Sequence, residues 1–180
     1  MIHFFSNIKN CLISVINRKA IKQQQSEYIK CQNSAEYFIK KYCVLDIHSN
    51  KTFDLYEWQK KALDIFKTKK LILVEQHELQ QGASSLLAAF ALHQLLFRTP
   101  RKYKDIFKIC IFSRSSENAC NILTIIENMY EKLPVFLKGK NERKTRTIFS
   151  ITTNNDTTAS ILSHTNNTTY IKGRGSYGAG

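Results

Sequence analysis

The 180-residue chain lacks the cysteine spacing that builds a zinc site or a disulfide framework. Its five cysteines, Cys11, Cys31, Cys43, Cys110 and Cys120, are odd in number and none sits in a C-x-x-C pair. Structural metals and small disulfide scaffolds need thiols paired at short, fixed spacing, so reduced, partly buried thiols are expected. No apolar run approaches the ~18 residues of a transmembrane helix, and no membrane association through a spanning segment is expected. The histidines His3, His48, His77, His93 and His164 show no H-x-x-x-H or similar spacing and read as structural. No Ser/His/Asp or Cys/His order for covalent catalysis stands out, and no internal repeat is present. Acidic residues are scarce as well: Asp+Glu 14 against Lys+Arg 27 leaves a net charge of +13. That imbalance points to a polyanionic partner through attraction to phosphates. A scattered solvated surface coded by an AT-rich genome would carry the same excess.

The apolar pattern is that of an alternating α/β chain. Residues 1–30 form a basic, mildly amphipathic arm in which Phe4, Phe5, Ile8, Leu12 and Ile16 lie among Lys9, Arg18, Lys19 and Lys22. Such an arm suits docking on its own domain or a partner, with a membrane surface or DNA as the alternatives, and Gln23-Gln24-Gln25 reads as a short linker. Ser34 is placed to cap a helix through Tyr37, Phe38 and Tyr42. His48-Ser49-Asn50-Lys51 reads as a turn. Leu55, Trp58, Ala62, Leu63 and Phe66 recur at helical spacing. Leu71-Ile72-Leu73-Val74 is a short apolar run that fits a buried strand, and residues 84–97 fit an apolar helix before Thr99-Pro100. Residues 107–112 read as a second buried strand, followed by a helix capped by Ser115 or Ser116 and closed by Pro134. Around Asn154-Asn155-Asp156, β-branched and polar residues alternate as in a hairpin. Strand and helix alternate as in a parallel sheet flanked by helices, with the first two strands in one sheet.

The segment Glu75-Gln76-His77-Glu78-Leu79-Gln80-Gln81-Gly82-Ala83-Ser84-Ser85 joins the first strand to its helix. It has the layout of a phosphate-binding P-loop. Such a loop turns backbone N–H groups and a helix N-terminus toward phosphates, neutralises them with lysine and holds magnesium with Ser or Thr. Gly82 suits the turn, Ser84 suits magnesium, and Ala83 stands where G-K-S/T would place lysine. An ordinary strand-to-helix turn with one glycine has the same outline. Upstream, Trp58 and Gln59 could stack on and hydrogen-bond an adenine; the plainer alternative is Trp58 in the core and Gln59 at the surface. Near the end, Lys172-Gly173-Arg174-Gly175-Ser176 offers Arg174 to phosphate or DNA, or is simply a basic tail.

In order, these segments resemble the large terminase subunit of tailed bacteriophages, the motor ATPase that packages DNA. The resemblance covers roughly residues 31–177. It is carried by Tyr37-Phe38-Ile39-Lys40-Lys41-Tyr42, Phe53-Asp54-Leu55-Tyr56 with Gln59, the strand, loop and helix of residues 71–97, Tyr130-Glu131-Lys132-Leu133-Pro134, and Arg174-Gly175-Ser176. It implies a P-loop NTPase-type fold in residues 31–180, truncated before the Walker B strand and without the nuclease domain. It implies ATP and Mg2+ as cofactors, with Gln59, His77, Gly82, Ala83, Ser84 and Ser85 on the nucleotide side and Ser84 as a weak magnesium ligand. Partners implied are double-stranded DNA, the portal protein and the small terminase subunit. The implied location is the host cytoplasm, transiently at the procapsid portal.

The loop departs from the family at the residues that carry charge. Aligned on Gly82, the alternative front lysine position is His77 and the loop arginine falls on Leu79, while Glu75 and Glu78 add negative charge. Removing one charge-assisted hydrogen bond to phosphate costs about 1.5–3 kcal/mol. A degenerate motor that does not turn over ATP is expected. The alternative is a non-enzymatic module that binds DNA, the portal or another terminase subunit on the same scaffold.

Overall fold

A computed structural model describes residues 2–44, 52–68, 82–98, 106–113, 115–153 and 158–165, with side chains from residue 18 onward except at 106, 141, 164 and 165. The expected strand at 71–74, the loop up to residue 81 with His77, the turn at 48–51, Thr99-Pro100 and Arg174 lie outside the described residues.

Among the described residues, five helices and four strands follow in the order α1 (Ile2–Asn33), α2 (Ala35–Tyr42), α3 (Glu57–Thr68), α4 (Ala83–Phe97), β1 (Ile106–Ser113), α5 (Ser116–Glu131), β2 (Lys140–Thr145), β3 (Ile148–Thr152) and β4 (Thr158–Thr165). A 3-10 turn, Val135–Leu137, begins after Pro134. Local chemistry sets several of these ends. Ser34 Oγ accepts the Tyr37 N–H at 3.1 Å and starts α2; Ser115 Oγ accepts the Asn118 N–H at 3.1 Å and starts α5. Both are N-caps that satisfy a helix-end donor left without a partner.

Gln23-Gln24-Gln25 is no linker. α1 runs unbroken through it to Asn33, because glutamine is a good helix former and nothing there breaks the helix. The end of α1 docks on the domain. Cys31 is fully buried, and the Tyr28 and Phe97 rings meet edge-on at 5.2 Å. His93 Nε2–H donates to the Cys31 carbonyl at 2.9 Å, and its other ring nitrogen lies 3.3 Å from the Gln94 amide. Burial lowers the pKa of His93 and keeps the ring neutral, a structural role.

α4 is the centre of the helical layer. Leu86, Ala88, Ala89, Leu92, Leu95, Leu96 and Phe97 are all buried, as befits a helix apolar all round. The described sheet has the order β1-β4-β3-β2. β1 and β4 are parallel, with Ile109 opposite Ile161; β4–β3 and β3–β2 are antiparallel. The expected hairpin is therefore β3–β4. The fold is α/β with flanking helices, but the described sheet is mixed rather than parallel, because two of its three pairings are antiparallel. Only β1–β4 needs a crossover, which α5 begins.

β1 is not buried on both faces as its apolar sequence implies. Phe107, Ile109 and Ile111 pack against the helical core, whereas Lys108, Cys110 and Phe112 are exposed. The strand has the alternation of one with a single covered face.

Candidate functional site

The head of α4 is the part of the expected loop that is described. Gly82 occupies its N-cap position with φ 75° and ψ 21°. This left-handed conformation costs an L-residue with a Cβ about 1–2 kcal/mol and costs glycine almost nothing. The Gly82 carbonyl accepts the Leu86 N–H at 2.9 Å and closes the first turn. The N–H groups of the first helical residues, Ala83 to Ser85, have no carbonyl one turn back within the helix, and glycine supplies no capping side chain. Ser84 is exposed, with Ala83 and Ser85 half-buried. Donor groups at a positive dipole end beside an exposed hydroxyl suit an anion such as a phosphate.

Gln59 comes to this point from α3. It is 1% exposed, which overturns the alternative that placed it at the surface, and Trp58 is the half-buried neighbour. Gln59 Oε1 accepts the Tyr56 N–H at 3.0 Å, and Nε2 donates to the Gly82 carbonyl at 3.4 Å. The first bond is half of a capping box: a glutamine three residues into the helix reaches back to the N-cap N–H. The second ties the start of α3 to the start of α4 across 23 positions of sequence. A Cβ on Gly82 would stand 3.1 Å from Gln59 Nε2, so the close approach and the positive φ both favour glycine.

Of the expected nucleotide-side residues, the fold brings together Gln59, Gly82, Ala83, Ser84 and Ser85; His77 and Arg174 lie outside the described residues. The described residues offer a phosphate the N–H donors of a helix start. No lysine or arginine occurs between Leu71 and Phe97 to neutralise it. Among the described residues no three of His, Cys, Asp and Glu gather as a metal group, and no helix is long and apolar enough to cross a membrane.

A second polar cluster was not anticipated from sequence. Glu27 on α1 accepts hydrogen bonds from Lys41 Nζ at 2.6 Å, Tyr37 OH at 2.8 Å and Tyr42 OH at 2.9 Å. The Lys41 bond, with help from both tyrosines, lowers the Glu27 carboxyl to a pKa of about 2 against the opposing effect of burial. Three of the Tyr37-Phe38-Ile39-Lys40-Lys41-Tyr42 side chains that carry part of the terminase resemblance are thus engaged in anchoring α1. Their four- and five-residue spacing was visible in sequence; the distant glutamate was not.

No protein-family model and no curated protein matches the sequence.

Proposed function

We propose that the chain is a P-loop-descended module related to the motor ATPase of phage terminases, and that it holds double-stranded DNA by charge without cycling ATP. The carrying observation is the bond from Gln59 to the left-handed Gly82 at the head of α4. The resemblance pairs these two positions as an adenine-side glutamine and a phosphate-loop glycine, and here they touch. In a chance strand-to-helix turn nothing would call for a glutamine from an upstream helix at that glycine. The same geometry supports the non-catalytic half of the reading. Both ends of the Gln59 amide are engaged by backbone, and the loop sequence supplies carboxylates beside the positions where the family has cations. ATP and Mg2+, the portal, the small terminase subunit and a place at the procapsid belong to this proposal through the resemblance.

Thermal unfolding with millimolar Mg-ATP tests it. A ligand at about 100 times its Kd raises stability by about 2.7 kcal/mol, an easily read shift. The expected result is no shift for the natural chain and a gain for His77→Lys, which restores a loop lysine. Gly82→Asp should abolish that gain. A clear shift in the natural chain that Gly82→Asp removes would overturn the non-catalytic reading. No gain in His77→Lys would overturn descent from a P-loop.

A further inference from the structure

α1 is one continuous helix from Ile2 to Asn33, and its two halves differ in kind. The second half holds the domain. Glu27 bonds Lys41, the Tyr28 ring meets Phe97, and the Cys31 carbonyl accepts the His93 N–H. Residues 18–26 are all exposed, so over more than two turns no side of the helix is buried. At a rise of about 1.5 Å per residue, residues 2–17 extend the same helix by about 24 Å more.

The sequence sorts residues 2–17 by their place round this helix. With a step of about 100° per residue, every apolar residue from Ile2 to Ile16 falls within one arc of about 200°. His3, Ser6, Asn7, Asn10, Ser14 and Asn17 fill the rest, and Lys9 stands inside the apolar arc near one margin. The centre of the arc lies about 100° round the helix from the line of Glu27, Tyr28 and Cys31, so it is not a continuation of the side that docks. A stripe of about 100° serves a helix packed on one core, and this arc is about twice as wide. The sorting ends at residue 17. On the same arc one turn further on stand Lys19 and Lys22, both exposed, so α1 as a whole is not amphipathic although residues 2–17 are.

Charge decides what such an arc fits. Residues 1–26 hold Lys9, Arg18, Lys19 and Lys22 and no carboxylate. A second copy of the arm would bring the same cations and no acidic group to pair with them. Duplex DNA would meet the cations and leave the apolar arc in water. The surface of an anionic bilayer takes both, acyl chains against the apolar arc and headgroup phosphates against the cations. We propose that residues 2–17 of α1 lie in the interface plane of an anionic lipid bilayer, with Lys9, Arg18, Lys19 and Lys22 among its headgroups. The arm lies on the membrane and does not cross it, in keeping with the lack of any described helix long and apolar enough to span one. This site goes beyond the loop reading and shares no residue with it.

Co-sedimentation of the full chain with vesicles of phosphatidylcholine containing about 30% phosphatidylglycerol provides the test. Binding to them should be at least tenfold tighter than to vesicles of phosphatidylcholine alone. Phe5→Ser with Leu12→Ser should weaken it at least tenfold, and Lys19→Gln with Lys22→Gln about tenfold. Lys108→Gln with Arg143→Gln, the same charge change on the sheet, should weaken it less than threefold. Urea denaturation of the arm variants should match the natural chain, which shows that the domain is folded in each. Equal loss from both charge pairs would overturn the site, since the net charge alone would then hold the vesicle. Unchanged binding in Phe5→Ser with Leu12→Ser would overturn burial of the arc in lipid. A chain that ignores vesicles and sediments as a dimer, split by the same two serines, would give the arc to a second copy and overturn the bilayer. Duplex DNA binding should be unchanged in Phe5→Ser with Leu12→Ser, so failure of the DNA reading and failure of this one are read separately.

Discussion

On the helix side of the sheet, Phe149 and Ile161 are 0% exposed and Phe149 meets the Tyr130 ring edge-on at 5.0 Å. On the other side, Phe112 is 44% exposed amid lysine, arginine, serine and threonine. The same strands make both faces, because side chains alternate along each strand. What differs is the neighbour. α4 and α5 bring apolar side chains to one face, and burial there stabilises the fold; on the other face Ser160 and Leu162 at the centre are buried as well, while Lys108, Cys110, Phe112, Lys140 and Arg143 towards the margins are exposed. The marginal positions of the second face can thus be perturbed separately from the helix-side core.

The largest expected effect separates the faces directly. Phe149→Ala removes a buried ring and leaves a cavity, and should lower stability by about 3–5 kcal/mol in urea denaturation. Phe112→Ala, at the exposed margin of the opposite face, should change it by less than about 1 kcal/mol. Comparable losses from the two would mean that both faces are packed, and the contrast would collapse.

A smaller loss is expected at the start of the central helix on the covered side. Gly82→Ala places a Cβ at φ 75° and 3.1 Å from Gln59 Nε2. Stability should fall by about 1–2 kcal/mol, and Gly82→Asn, which tolerates the left-handed region better, should recover part of it. A neutral Gly82→Ala would show that the strained turn is absent in solution, and with it the basis for the approach of Gln59.

The smallest effect concerns the rim of the helical layer, where Glu27 holds α1. Its folded pKa of about 2 lies below the ordinary value of 4.5. A depressed carboxyl stabilises the fold above its unfolded pKa and loses that contribution as pH falls through the folded value. The natural chain should therefore exceed Glu27→Gln in stability at neutral pH, with the gap closing between about pH 4.5 and pH 2. Denaturation of both proteins across this window measures it. A gap that does not change with pH would show that the carboxylate charge is not what anchors α1.

The sequence by itself determined the features governed by neighbours a few residues apart. Ser34 and Ser115 cap helices because a short side chain can reach an N–H three residues on. The apolar residues after Ser85 specify a buried helix, and the alternation around residue 154 specifies an antiparallel hairpin. Gly82 was legible as a turn residue before a helix. Tertiary structure decided whatever required a distant partner. The bond between Gln59 and Gly82, the attachment of Glu27 to Lys41, Tyr37 and Tyr42, and the pairing of β1 with β4 each join segments at least 10 positions apart. A polar residue such as Gln59 reads as surface until a backbone carbonyl from elsewhere satisfies its amide in the interior. The run Ile106-Phe107-Lys108-Ile109-Cys110-Ile111-Phe112 reads as buried throughout, since apolar content says how much can be buried but not how many faces receive a neighbour. Only the placement of α4 and α5 on one side of the strands turned its alternate residues into a covered face and an open one.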